Sequence, residues 1–85
     1  MLFWRADGKT VKEDGSRTVV YVEDAYPRVT IVSYRRPIPH ANRGGTWMYT
    51  DFAVLVDGRE DAVKHTLRDA KAYAEKLIAQ MEEEE

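Results

Sequence analysis

Asp57-Gly58-Arg59-Glu60-Asp61-Ala62-Val63-Lys64-His65-Thr66-Leu67 decides how this fold closes. Two readings compete for it. Asp-Gly between apolar runs is the strongest short-range hairpin signal. It makes Glu60–Lys64 a short last strand and leaves Thr66 to cap a helix, with Asp69 three residues on as an imperfect capping box. The other reading starts the helix near Glu60, because Val63, Leu67, Ala70, Ala74, Leu77 and Met81 recur by fours and threes as one helical stripe. The stripe tips the expectation toward the earlier start. On both readings Leu67 to Met81 is helix: alanine, leucine, lysine and glutamate dominate, without glycine or proline.

Upstream the periodicity changes from helical to strand-like. Leu2–Ala6 reads as a first strand, with turn signals at Asp7-Gly8 and Asp14-Gly15. Thr18–Glu23 is rich in β-branched residues and reads as a strand. Asp24–Pro27 turns the chain into a strand over Val29–Arg35. Pro37 and Pro39 are expected to end it, since proline lacks the ladder donor. A loop-like run follows, and after Gly44-Gly45 a long strand spans Thr46–Val56. The fold class is therefore α+β: an antiparallel sheet of three to five strands with one C-terminal helix packed on one face. Residues 1–81 make a single domain and residues 82–85 an acidic tail.

Alternation across the strands exposes a difficulty. The Thr46 strand carries Trp47, Tyr49, Asp51, Ala53 and Leu55 on one face, and Met48, Thr50, Phe52, Val54 and Val56 on the other. The Val29 strand divides into Val29, Ile31, Ser33 and Arg35 against Thr30, Val32, Tyr34 and Arg36. Both faces are substantially apolar, yet one helix covers only one, and a half-solvated antiparallel sheet should show a clean polar side. The second face is left to the N-terminal Leu2-Phe3-Trp4, to a second copy of the chain as a homodimer, to another partner, or to strong twist that leaves tyrosine and tryptophan half exposed. The expected core is Val20, Val22, Ile31, Phe52, Val54, Leu67, Ala70, Ala74 and Leu77, with the strand faces open to exchange.

Charge is segregated along the chain. The 85 residues carry a net charge of −2, but Arg28 to Thr50 contains Arg28, Arg35, Arg36, Arg43 and His40 and no acid, whereas the chain ends in four glutamates, Glu82–Glu85. At the centre of the basic stretch lies Arg36-Pro37-Ile38-Pro39-His40-Ala41-Asn42-Arg43-Gly44-Gly45. The candidate contact residues are Arg35, Arg36, His40 and Arg43, with Tyr34, Trp47 and Tyr49 on the flanking strands. Arginine, tyrosine and tryptophan are the side chains enriched at binding hot spots.

Catalytic chemistry has little to work with. The chain has no cysteine, hence no disulfide, thiolate nucleophile or cysteine–zinc site. His40 and His65 form no zinc motif. Neither Ser16 nor Ser33 lies in a nucleophile elbow, and Gly44-Gly45 precedes a strand rather than the helix a phosphate loop needs. Asp51 could face His40 across the sheet edge as a lone acid–base pair. The expectation is a binding protein, not an enzyme, without cofactor or metal. No apolar run approaches the roughly 20 residues that span a bilayer, and no signal peptide is recognised, so the expected location is cytoplasmic, the host cytoplasm if the chain is viral.

Asp57-Gly58-Arg59 followed by Thr66-Leu67-Arg68-Asp69-Ala70-Lys71-Ala72-Tyr73-Ala74-Glu75 resembles the ending of many small phage and mobile-element proteins, in which a strand, an Asp-Gly turn and such a helix close a β-meander. The resemblance covers about 25 residues, mostly turn, cap and core positions, and stops short of the Arg36–Gly45 loop. It implies a phage-type accessory protein, a class that includes inhibitors of host proteins, and it carries over no site residue. The expected partner is a protein, bound through the basic loop and sheet face. The alternative is a small nucleic-acid-binding domain that uses the same arginines for phosphates and the aromatics for stacking. The net negative charge counts against that alternative.

Overall fold

The structure, a computed structural model, describes residues 3–13, 15–39 and 46–84, with strand residues 38–39 and 46–48 described in backbone only. Five strands and one helix follow in order: β1 Arg5–Val11, β2 Arg17–Val22, β3 Val29–Pro39, β4 Thr46–Val56, β5 Arg59–Lys64 and α1 Leu67–Glu84. The strands form one antiparallel sheet in the order β1-β2-β3-β4-β5, a meander. The helix packs on β3, β4 and β5.

The hairpin reading of residues 57–67 is the correct one, and the helix does not begin near Glu60. Asp57 and Gly58 both take positive φ, 53° and 82°, the pair of left-handed conformations a type I′ turn requires. β5 then pairs with β4 from Arg59↔Val56 to Lys64↔Phe52. The helix starts where Thr66 caps it: Thr66 Oγ1 accepts from the Asp69 amide at 3.1 Å, and the Thr66 carbonyl accepts from Ala70 at 3.1 Å. Val63, counted into the helical stripe, belongs to β5 and is 47% exposed.

Two further expectations are corrected. The first strand lies not at Leu2–Ala6 but at Arg5–Val11, and Asp7-Gly8 is no turn. It sits within β1 where the register shifts between Ala6↔Tyr21 and Gly8↔Val20, so Asp7 is the extra residue of a bulge. The turn of this hairpin comes later, around Gly15 at φ 90°. Nor do Pro37 and Pro39 end β3. Pairing with β4 runs through both, to Pro39↔Thr46. Being two apart, the prolines lack their donors on the same edge, and β2 has already left that edge after Arg17↔Arg35. A proline on an unpaired edge costs the ladder nothing.

The core lies between the sheet and α1. Val29, Ile31, Val54, Ala70 and Ala74 are fully buried and Ile78 nearly so, with Trp4, Tyr21, Tyr26, Phe52, Val56, Leu67, Tyr73, Leu77 and Met81 packed around them. Each large aliphatic side chain taken from water here contributes about 1.5–3 kcal/mol. The register Tyr21↔Ile31↔Val54 puts Tyr21 on the helix side. Val20 and Val22, expected in this core, therefore lie on the opposite face, with Val32 and Ala53. Trp4 packs on the helix side too, so its ring does not cover the second face. Glu23, only 7% exposed, anchors that segment: its carboxylate accepts from the Phe3 amide and, at 3.0 Å, from Ala25.

Candidate interaction site

β3 and β4 are each 11 residues long and pair over their whole length, Val29↔Val56 to Pro39↔Thr46. Their neighbours are shorter. β2 reaches only to Arg35, and β5 starts its pairing at Phe52. Beyond those points the two central strands have only each other as ladder partners among the described residues. They project as a two-stranded arm, which accounts for principal extents of 53 × 22 × 22 Å.

The arm and its root carry most of the site residues expected from sequence. Tyr34 lies opposite Asp51, Arg35 opposite Thr50, Arg36 opposite Tyr49, and Trp47 opposite Ile38. By alternation Tyr34, Arg36, Tyr49 and Asp51 belong to the face away from α1, and Arg35 to the other. Tyr34 is 46% and Tyr49 51% exposed. His40 and Arg43 lie outside the described residues.

The cations of this region differ sharply in company. Arg28, grouped by sequence with the unopposed bases, is opposed after all: its Nε and Nη2 donate to the two carboxylate oxygens of Asp57 at 2.9 and 2.8 Å. That fork, helped by the charges of Arg28 and Arg59, holds the Asp57 carboxyl below its ordinary range. Arg5 is held likewise by Asp24 and Asp7. Hydrogen bonds from Arg5 lower Asp24, and those carboxylates raise the Arg5 guanidinium still further above its already high value. Arg35 and Arg36, in contrast, form no ion pair with any described residue. Asp51 sits with neither: its Oδ1 lies 3.4 Å from Nδ1 of His65, the residue that follows β5; the expected acid–base pair with His40 falls outside the described residues.

A hollow of about 350 Å³ opens at the root of the arm, lined by Lys12, Ser16, Arg17, Thr18, Tyr34, Arg35, Arg36, Asp51, Ala53, Glu60 and Val63. Lys12 and Arg17 were missed by sequence reasoning, which grouped bases by position along the chain. The usable signal was the antiparallel pairing of the start of β2 with the end of β3, which sets Arg17 directly opposite Arg35. The second face around the hollow is uncovered by any other described element. Val32 and Ala53 are buried within it, whereas Tyr34, Tyr49 and Val63 stand exposed.

A second polar cluster lies at the seam of α1 and β5. The register shift between Val54↔Ala62 and Leu55↔Glu60 makes Asp61 a bulge residue. Its carboxylate accepts from the Tyr73 hydroxyl, which raises the Tyr73 pKa, and Lys64 Nζ sits 4.9 Å above the Tyr73 ring. Among the described residues no three His, Asp or Glu side chains gather as a metal cradle, and no helix is long and apolar enough to cross a membrane. Compared with protein families, with curated proteins and with solved structures, the chain finds no match in any of the three.

Proposed function

We propose that this protein works by binding rather than catalysis, as a phage-type accessory protein that engages a host or viral protein through its β3–β4 arm and the sheet face at the arm's root. One observation carries the reading. The arm presents Arg36 without a carboxylate partner on the same face as the half-exposed Tyr34 and Tyr49, and Arg35 likewise unpaired on the other face, whereas Arg5 is clamped by Asp7 and Asp24 and Arg28 by Asp57. Unpaired arginine beside exposed tyrosine is the composition of an interface hot spot. Two prolines restrict β3 along the arm, which lowers the ordering cost of docking.

The test is a pull-down from the natural host with the wild-type protein and with a variant carrying Arg35→Ser, Arg36→Ser and Arg43→Ser. The wild type should recover a defined partner and the variant should lose it while melting normally, since surface changes usually cost under about 0.5 kcal/mol. Undiminished recovery by the variant would remove the arm from the site. A nucleic-acid reading has one observation in its favour, that a two-stranded ribbon is a shape the DNA major groove admits. It requires the wild type to shift labelled duplex at low salt and to release it steeply as salt rises.

A further inference from the structure

Among the described strands, every free edge of the sheet is guarded except one. β1 is bulged at Asp7 and carries Lys9, and β5 is bulged at Asp61 and carries Arg59 and Lys64. Bulges, charges and prolines are the devices that keep other chains off a strand. The arm adds two edges, one on each side, and backbone phase tells them apart. The Asp57 amide donates to the Arg28 carbonyl, so by alternation the odd-numbered residues of β4 bond to β3 and the even-numbered ones face the β5 side. The β3 partners are then even-numbered, which leaves Pro37 and Pro39 facing the side β2 has left. That edge has carbonyls but no donor at either proline. On the other side, β5 stops opposite Phe52, and Thr66 starts the helix that takes the chain away. Thr46, Met48 and Thr50 thus turn both amide and carbonyl outward with no described strand beside them. The stretch Thr46-Trp47-Met48-Tyr49-Thr50 has no charge, no proline and no bulge.

We infer that the partner protein adds a strand here: an uncharged, proline-free extended segment pairs with Thr46–Thr50 in line with β5. The inference rests on the binding function proposed above and names what the partner inserts. Outward donors and acceptors at every second residue, about 6.8 Å apart, are matched by another extended backbone. Charge sets the character of that segment, since a charged side chain directly opposite this neutral stretch gains no partner. Tyr49, 51% exposed, lies within the stretch, and an apolar side chain opposite it leaves water together with its ring. A second copy of the chain fits less well. Laid edge to edge it contributes only the stretch Thr46–Thr50 from each side, against roughly 20–30 residues a side in a stable interface. A partner already seated on the arm adds its contacts with Tyr34, Arg35 and Arg36.

Hydrogen exchange on the intact chain tests this amide by amide. Without ligand, the amides of Thr46, Met48 and Thr50 should exchange fast and those of Trp47 and Tyr49 slowly. The probe is a capped peptide of alternating threonine and valine with a central tyrosine, at about 1 mM. It should slow the three fast amides, and the same peptide with every amide N-methylated, which has no donors, should slow none. Met48→Pro deletes the middle donor at a position that bonds to nothing in the free chain. It should melt with the wild type, bind the peptide about tenfold more weakly, the loss of one hydrogen bond, and lose the host partner. The two peptides decide the matter on the wild type alone if Met48→Pro melts lower. Unchanged exchange at residues 46, 48 and 50, equal effects of the two peptides, or recovery of the host partner by a normally melting Met48→Pro would each overturn the inference. So would self-association of the wild type that Met48→Pro abolishes, because the edge then belongs to a second copy. Those results leave the proposed function standing if the arginine variant still loses its host partner. Undiminished recovery of that partner by the arginine variant removes the proposed function itself, whatever the peptides do.

Discussion

Asp57 shows how much one residue does in so small a protein. It takes a left-handed conformation in the β4–β5 turn, its amide donates to the Arg28 carbonyl at 2.8 Å, and its carboxylate forks onto the Arg28 guanidinium. Asp57 and Asp24 both have carboxyl pKa values lowered from 3.8, chiefly by hydrogen bonds from arginine. Each therefore contributes stability that is fully present above its unfolded value and is lost as pH falls through the lower folded value. Tyr73 works in the opposite direction. Its pKa is raised from 10.0 by the bond to Asp61, so its contribution is present below pH 10.0 and lost as pH climbs through the folded value. Melting temperature against pH should thus form a plateau with an acid shoulder below 3.8 and an alkaline one above 10.0. In Tyr73→Phe the alkaline shoulder should shrink, and an unchanged shoulder there would deny the Asp61 bond its role. Glu23 is the other residue to probe. Buried and accepting two amides, it ties Phe3 to the β2–β3 turn. Glu23→Ala strands both donors and should cost about 2–4 kcal/mol by urea denaturation. Hydrogen exchange should quicken first at Phe3 and Ala25.

Strand and helix existence was legible from periodicity, but not every boundary was. The β-branched run of β2, the long β4 and the helix from Leu67 were all readable. Three local signals misled because tertiary context outweighed them. Val63 fell on a helical stripe by spacing alone, although the paired left-handed residues at 57 and 58 had already committed the chain to a hairpin. Asp7-Gly8 looked like a turn and became a bulge, its aspartate held by Arg5 at 2.8 Å. The two prolines looked like terminators because each lacks a ladder donor, a lack that costs nothing on the edge β2 has left. Tyr34, Arg35, Arg36 and Tyr49 were readable as neighbours because they lie on consecutive strands. Lys12 and Arg17 were hidden because only strand register brings them there. The prolines lead to a prediction about the edges of the arm. Residues 36–39 of β3 have no partner on the β2 side, and an unpaired edge invites other strands. Pro37→Val with Pro39→Val restores the missing donors and should make the arm pair with other copies of itself. Light scattering should rise with time in that variant and stay flat in the wild type, and equal scattering would show that the prolines guard nothing. For the helix, Ile78, 2% exposed, is its deepest large side chain. Leu77, expected to hold that place, is only half-buried. Ile78→Ala should cost about 2–5 kcal/mol and Leu77→Ala less. The reverse order by urea denaturation would mean that α1 is rotated about its axis.

At the scale of the molecule, one helix serves a five-stranded sheet. The Cα radius of gyration is 14.9 Å, against about 12 Å for a compact chain of this length, and the excess lies in the arm. The uncovered face, with Tyr34, Tyr49 and Val63 exposed, is the surface through which self-association is expected, since contiguous exposed apolar area marks interfaces. Sedimentation at about 100 μM should show a mass rising with concentration. A monomer there, together with a Tyr49→Ser variant of unchanged stability, would leave the face to a different protein alone.

The meander also sets the order in which the protein comes into being. Every strand pairs with its neighbour in sequence, so the sheet can assemble by short closures, the kind that fold quickly. The helix that covers Val29, Ile31 and Val54 leaves the ribosome after all five strands. At about 5–20 residues per second, synthesis of residues 57–84 takes roughly 1–6 s after β4 is complete. For that interval the β3–β4 hairpin has both faces bare. The nascent chain is then at its most vulnerable to clumping with other nascent copies and most dependent on holding chaperones. A substitution that weakens helix docking will therefore lower the yield of protein in the cell more than its effect on the melting temperature indicates.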